Sequence, residues 1–85
     1  MEIQSIIFFK SGFTRFKAVE WLKKHGKRTD LDEKEHTFRA RQKSPSEFEK
    51  STFRTKEIND HIDFIIGKLN FFIWFMLSIV LNKFY

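Results

Sequence analysis

The chain has 85 residues, room for one small domain, and carries 16 Lys and Arg against 11 Asp and Glu, a net charge of +5. At this length folding buries roughly 60–65% of the surface that the unfolded chain exposes, so stability is marginal and responsive to any bound partner. The absence of cysteine excludes a disulfide framework, a thiolate nucleophile and a thiolate zinc site, and it fits a reducing compartment.

The charge is unevenly spread. Residues 1–26 hold five basic and two acidic side chains, residues 27–45 six and four, and residues 46–70 four and five. Residues 71–85 carry a single charge, Lys83, so the mean hydropathy of −0.43 averages a polar body with an apolar end. This divides the chain into an expected small domain over 1–69 and a hydrophobic tail over 70–85. The N-terminus does not read as an export signal, because Glu2 stands where a signal peptide carries Lys or Arg and the apolar run Ile6 to Phe9 is too short. The expected location is the inside of a cell or a virion, with membrane association open.

Ile3 to Lys10 (IQSIIFFK) is β-branched and aromatic on both alternating faces, which predicts a strand covered at least partly on both sides. Ser11-Gly12 breaks it. The spacing then predicts a helix over Thr14 to His25, with Thr14 as N-cap and Gly26 in the left-handed position that ends it. Ala18, Trp21, Leu22 and His25, with Val19 beside them, form its apolar stripe, and Lys17, Glu20, Lys23 and Lys24 take the outer side. A charged strand is expected around Arg28 to Asp32. In His36 to Lys43, Phe38, Ala40 and Gln42 share one face, while Thr37, Arg39, Arg41 and Lys43 share the other. Ser44-Pro45-Ser46 interrupts that strand, since proline cannot donate to a ladder. Phe53 to Ile58 and Ile62 to Ile66 predict two more strands, with Asn59-Asp60 as the turn. The expected fold is α+β in the order β-α-β-β-β-β, one helix packed on a small, mostly antiparallel sheet.

Four pieces of the sequence then fall in a suggestive order: Trp21-Leu22-Lys23 with His25-Gly26; Arg39, Arg41, Gln42, Pro45 and Phe48; Phe53-Arg54-Thr55 with Ile58; and Ile65-Ile66-Gly67-Lys68. Together they resemble a small domain encoded by tailed bacteriophages and large double-stranded DNA viruses. In that pattern a WLKxHG helix precedes an RxRQxxPxxF strand and loop, an FRTxxI strand and a closing IIGKL strand. The resemblance covers about residues 11–69. It implies a viral origin and a shared fold, and no reaction.

The residues carry no catalytic signature. Three glycines, at 12, 26 and 67, make no phosphate loop, and no nucleophile elbow or Cys-His pair is present. His25, His36 and His61 are too far apart in sequence for a helical zinc pair. Asp30, Asp32, Glu33 and Glu35 lack the glycine and ligand ladder of a calcium loop. No enzyme activity, cofactor, metal or small-molecule substrate is expected. Arg39, Arg41 and Lys43 project from one strand face, and Arg54 and Lys56 alternate on a neighbouring candidate strand. If the faces match, the five cations form a patch able to neutralise phosphates of a nucleic acid. The opposing reading is a solvated face balanced by Glu47, Glu49 and Glu57.

The tail is the strongest functional feature. Phe71, Phe72, Ile73, Trp74, Phe75, Met76, Leu77, Ile79, Val80 and Leu81 surround one polar side chain, Ser78. As a helix this run measures about 16 Å, against about 30 Å of bilayer core. Extended to all of 70–85 it reaches about 24 Å, still short of a clean span. Three readings stand: a short anchor with Lys68 and Lys83 snorkelling and Trp74 and Tyr85 near interfaces, a segment docked in a groove of a larger viral assembly, or a cover for the chain's own sheet. The expected function is a non-enzymatic, virus-encoded interaction or structural module attached through residues 70–85 to a membrane or virion component. The alternative is a basic nucleic-acid-binding accessory protein.

Overall fold

The computed structural model of the chain describes residues 1–70, so the helix expected over the tail, with the site residues between Phe71 and Leu81, lies outside the described residues. The fold is α+β, with one helix against a five-stranded antiparallel sheet. The elements are β1 (Glu2–Phe9), α1 (Arg15–Lys24), β2 (Leu31–Glu33), β3 (Thr37–Arg41), β4 (Arg54–Asn59) and β5 (Ile62–Gly67), with 3-10 turns at Pro45–Glu47 and Lys50–Thr52 before β4. The strands lie in the order β2-β3-β1-β5-β4. The most apolar strand is therefore the central one.

Alternation along β1 builds the core. Ile6 and Phe8 point to the helix side, where they meet Phe38 and Ala40 of β3, Ile62 of β5, and Ala18 and Leu22 of α1. Ile6, Phe8, Ala18, Leu22 and Ala40 have no solvent exposure. Complete burial of side chains such as Ile6, Phe8 and Leu22 contributes roughly 1.5–3 kcal/mol each. Trp21 closes one flank, its ring edge-on to Phe8 at 5.5 Å and to Phe64 at 6.2 Å.

The helix ends where its sequence says it should. Thr14 is the N-cap, its hydroxyl oxygen accepting from the Lys17 N–H at 3.2 Å. At the other end His25 caps, its Nδ1–H donating to the Trp21 carbonyl at 2.8 Å while its ring stacks on Trp21 at 3.9 Å. Gly26 then takes φ +65°, and the Lys27 N–H closes back on the Leu22 carbonyl at 2.8 Å. Lys23 and Lys24 sit at the negative end of the helix dipole.

β3 ends at Arg41, short of the expected Lys43, and two other boundaries differ from the sequence reading through a side chain that replaces backbone pairing. The charged strand spans Leu31–Glu33 rather than Arg28 to Asp32, because a side chain substitutes for the ladder at Arg28. Gln42 accepts from the Arg28 N–H at 2.8 Å and donates to the Arg28 carbonyl at 3.0 Å, which satisfies both backbone groups without a strand. The second difference is the β4–β5 turn, which falls at Asp60-His61, one residue later than expected. There the Asn59 carboxamide oxygen accepts from the His61 N–H at 2.8 Å, so Asn59 turns the chain with its side chain while its backbone stays in β4.

The connection from β3 to β4 crosses the ends of β1 and β5. Ser44 and Glu47 form a capping box that starts it, with the Ser44 N–H donating to the Glu47 carboxylate at 2.9 Å. It then pairs with the chain just after β5: Phe48 bridges Leu69, the Glu49 N–H donates to the Lys68 carbonyl at 2.9 Å, and the Asn70 N–H donates to the Glu47 carbonyl at 2.7 Å. The Lys68 N–H also donates to the Thr52 hydroxyl at 2.9 Å. Residue 70, the last before the apolar run, is held in this knot. No helix among the described residues is long and apolar enough to cross a membrane.

Candidate interaction surface

Residues paired directly across antiparallel strands project to the same side, so register assigns each strand residue to a face. One row runs Ala40–Ile6–Phe64–Lys56, and Ile66 pairs with Arg54; these belong to the helix side. The opposite row runs Asp32–Arg39–Ile7–Asp63–Glu57, and the next runs Arg41–Ser5–Ile65–Thr55. These form the face away from the helix. Arg39 and Arg41 therefore share the open face, whereas Arg54 and Lys56 share the other, and the five cations do not form one patch. Alternation places 39 with 41 and 54 with 56, but β1 and β5 lie between those strands and their register sets the relative parity.

The individual cations are also differently occupied. Arg39 reaches two buried polar residues of β1: one guanidinium N–H donates to Gln4 Oε1 at 3.0 Å and Nε–H donates to the Ser5 hydroxyl at 3.1 Å. The Ser5 hydroxyl in turn donates to Gln4 Oε1 at 2.7 Å, and Gln4 Nε2 donates to the Lys43 carbonyl at 3.0 Å. Gln4 and Ser5 are 1% and 0% exposed. Gln4 is the extra residue of a bulge in β1, between the pairs Ile3–Ile66 and Ser5–Ile65. Lys43 lies beyond the end of β3, 4.0 Å from the Glu2 carboxylate. Arg41 borders an open groove of about 460 Å³ shared with Arg28, Asp30 and Asp32, a wall of mixed charge.

Phe48 and Phe53 cover one end of the open face. Gly67 falls on that face by parity, and a Cβ there would meet both rings at 3.0 Å. Away from that end Ile7, Phe9, Asp63 and Ile65 stay half-exposed, flanked by Arg39 and Arg41 on one side and Glu57 on the other. Asp63 and Glu57 have no ion-pair partner among the described residues. Sequence reasoning placed no weight on Gln4, Ser5 or Asp63, because their roles depend on register and on a bulge with no local signature.

Comparison with protein-family models, with curated proteins and with solved structures finds no match. Among the described residues no three His, Asp or Glu side chains gather as a metal site would require.

Proposed function

We propose that this chain is a virus-encoded, non-enzymatic attachment module, a small folded head held to a lipid membrane by the apolar run Phe71 to Leu81. The observation that carries the reading is the join between head and tail. The core of the described residues is assembled from side chains between Ile3 and Phe64, and no buried side-chain nitrogen or oxygen among them lacks a partner. Ten apolar side chains follow within eleven residues of Asn70. Exposed Lys50, Arg54 and Lys68 have no ion-pair partner among the described residues, and Glu47 and Glu49 lie in the same stretch of chain before the apolar run. Such cations favour an anionic lipid surface. The viral origin rests on the resemblance carried by residues 11–69.

Magnitudes set the test. Each apolar side chain removed from water contributes roughly 1.5–3 kcal/mol, whereas each cation near an anionic surface contributes about 1 kcal/mol. Insertion therefore dominates, and binding resists salt. The full chain should float with anionic vesicles at both low and high salt, and the variant Phe72→Asp/Trp74→Asp/Leu77→Asp should not. Loss of flotation at high salt, or aggregation without flotation, overturns the membrane reading; the second outcome points to a protein groove instead.

A further inference from the structure

We propose that the open face of the sheet docks a second copy of this chain, about a two-fold axis that runs parallel to β1 through Ile7. The centre of the row Asp32–Arg39–Ile7–Asp63–Glu57 is the basis. With neighbouring strands about 4.8 Å apart, a cation and an anion stand about 5 Å to either side of an apolar centre. No ion pair joins Arg39 to Asp63 or to any other acid among the described residues. Asp63 is half-buried between Ile7 and the like-charged Glu57, where a carboxylate gains from a facing cation.

Rotation about an axis along the strands lays β3 of one copy over β5 of the other. Arg39 then faces the second copy's Asp63, Asp63 faces its Arg39, and Ile7 meets Ile7, the reciprocal contact of an isologous pair; at the rims Asp32, paired with Lys34 at 3.2 Å, lies over the second copy's Glu57. Rotation about an in-plane axis across the strands would set Arg39 on Arg39 and Asp63 on Asp63, which like-charge repulsion disfavours. The charge row therefore selects one of the two symmetric ways to stack the sheets.

The face is small. Four strand spacings by about five residues give a footprint on the order of 300 Å², well under the ~800 Å² per partner of a standard interface. The pair is accordingly weak and reversible. An axis along the strands preserves their direction, so both copies' β5 strands finish at the same end of the pair. If the membrane reading holds, both apolar runs leave toward one bilayer, where confinement raises effective concentration and two anchors hold better than one. The pairing itself does not depend on that reading.

The chain has no cysteine, so one introduced thiol reports one position. The full-length Ile7→Cys chain, held in non-ionic detergent without vesicles, should form covalent dimers with a short bismaleimide. The Glu20→Cys chain, marked on the outer side of α1, should not. Adding Asp63→Arg to Ile7→Cys should slow dimer formation about tenfold or more. Mixing that chain with Ile7→Cys/Arg39→Asp should restore it, because both facing pairs are then complementary. Circular dichroism checks that each variant is folded; if Arg39→Asp unfolds by losing Gln4 and Ser5, the Asp63→Arg comparison decides alone. Equal cross-linking of Ile7→Cys and Glu20→Cys, or an unchanged rate with Asp63→Arg, overturns the proposal. Vesicle flotation is a separate readout, so failure here leaves the membrane reading standing.

Discussion

The guanidinium of Arg39 donates to the side-chain oxygen of Gln4 at 3.0 Å, and Gln4 is the bulged residue of the central strand. A cation that alternation marks as a surface ligand is thereby made part of the framework. With Ser5 and the Lys43 carbonyl it completes a polar cluster in which no buried side-chain nitrogen or oxygen lacks a partner.

Breaking that cluster should cost more than removing an exposed charge. Gln4→Leu leaves the Ser5 hydroxyl and the Arg39 guanidinium without their shared acceptor, at a cost of about 1–3 kcal/mol. Arg41→Ala, which removes an exposed side chain with no ion pair, should stay within about 0.5 kcal/mol. Urea unfolding followed by circular dichroism separates the two; equal midpoints would show that the cluster adds nothing.

Gly67 is tied to the crossing segment by the rings of Phe48 and Phe53, each 3.0 Å from where a Cβ would stand. Gly67→Ala therefore overpacks the contact and should destabilise by about 1–3 kcal/mol. Phe48→Leu makes room, so the double variant should be more stable than the sum of the two single effects implies. Strict additivity would mean that the methyl group is accommodated by backbone movement instead.

The division of the cations between faces bears on nucleic acid. Arg41→Ala/Arg54→Ala/Lys56→Ala spares the structural Arg39 and removes charge from both faces. Fluorescence anisotropy with a labelled duplex should show the same weak, salt-sensitive binding before and after the change. A loss of affinity accompanied by a salt slope reduced by about 0.9 for each cation removed would instead identify a phosphate-binding surface.

Much of the fold was legible because its signals are local. Thr14 and Gly26 bracket α1, Ala18 and Leu22 mark its buried stripe, and the alternation of Phe38 and Ala40 orients β3. The misplaced pieces are those in which side chains replace backbone pairing: Gln42 holding Arg28, and Asn59 turning toward His61. Neither glutamine nor asparagine advertises such a partner in sequence. The candidate patch was less legible for a related reason. Whether Arg39 and Arg54 share a face depends on the register of the two intervening strands, β1 and β5. Those are long-range facts, set by the assembled sheet.

The central claim is that the run containing Trp74 enters lipid. Two tryptophans, Trp21 and Trp74, share the emission, and subtracting the emission of the Trp74→Phe variant supplies the Trp74 signal. The measurement is quenching of that difference signal by lipids brominated at successive acyl positions, at low and high salt. The account predicts a blue-shifted Trp74 signal, quenched most strongly by acyl-chain bromine and unaffected by salt. A Trp74 signal that no brominated lipid quenches, or one that salt releases, would contradict it.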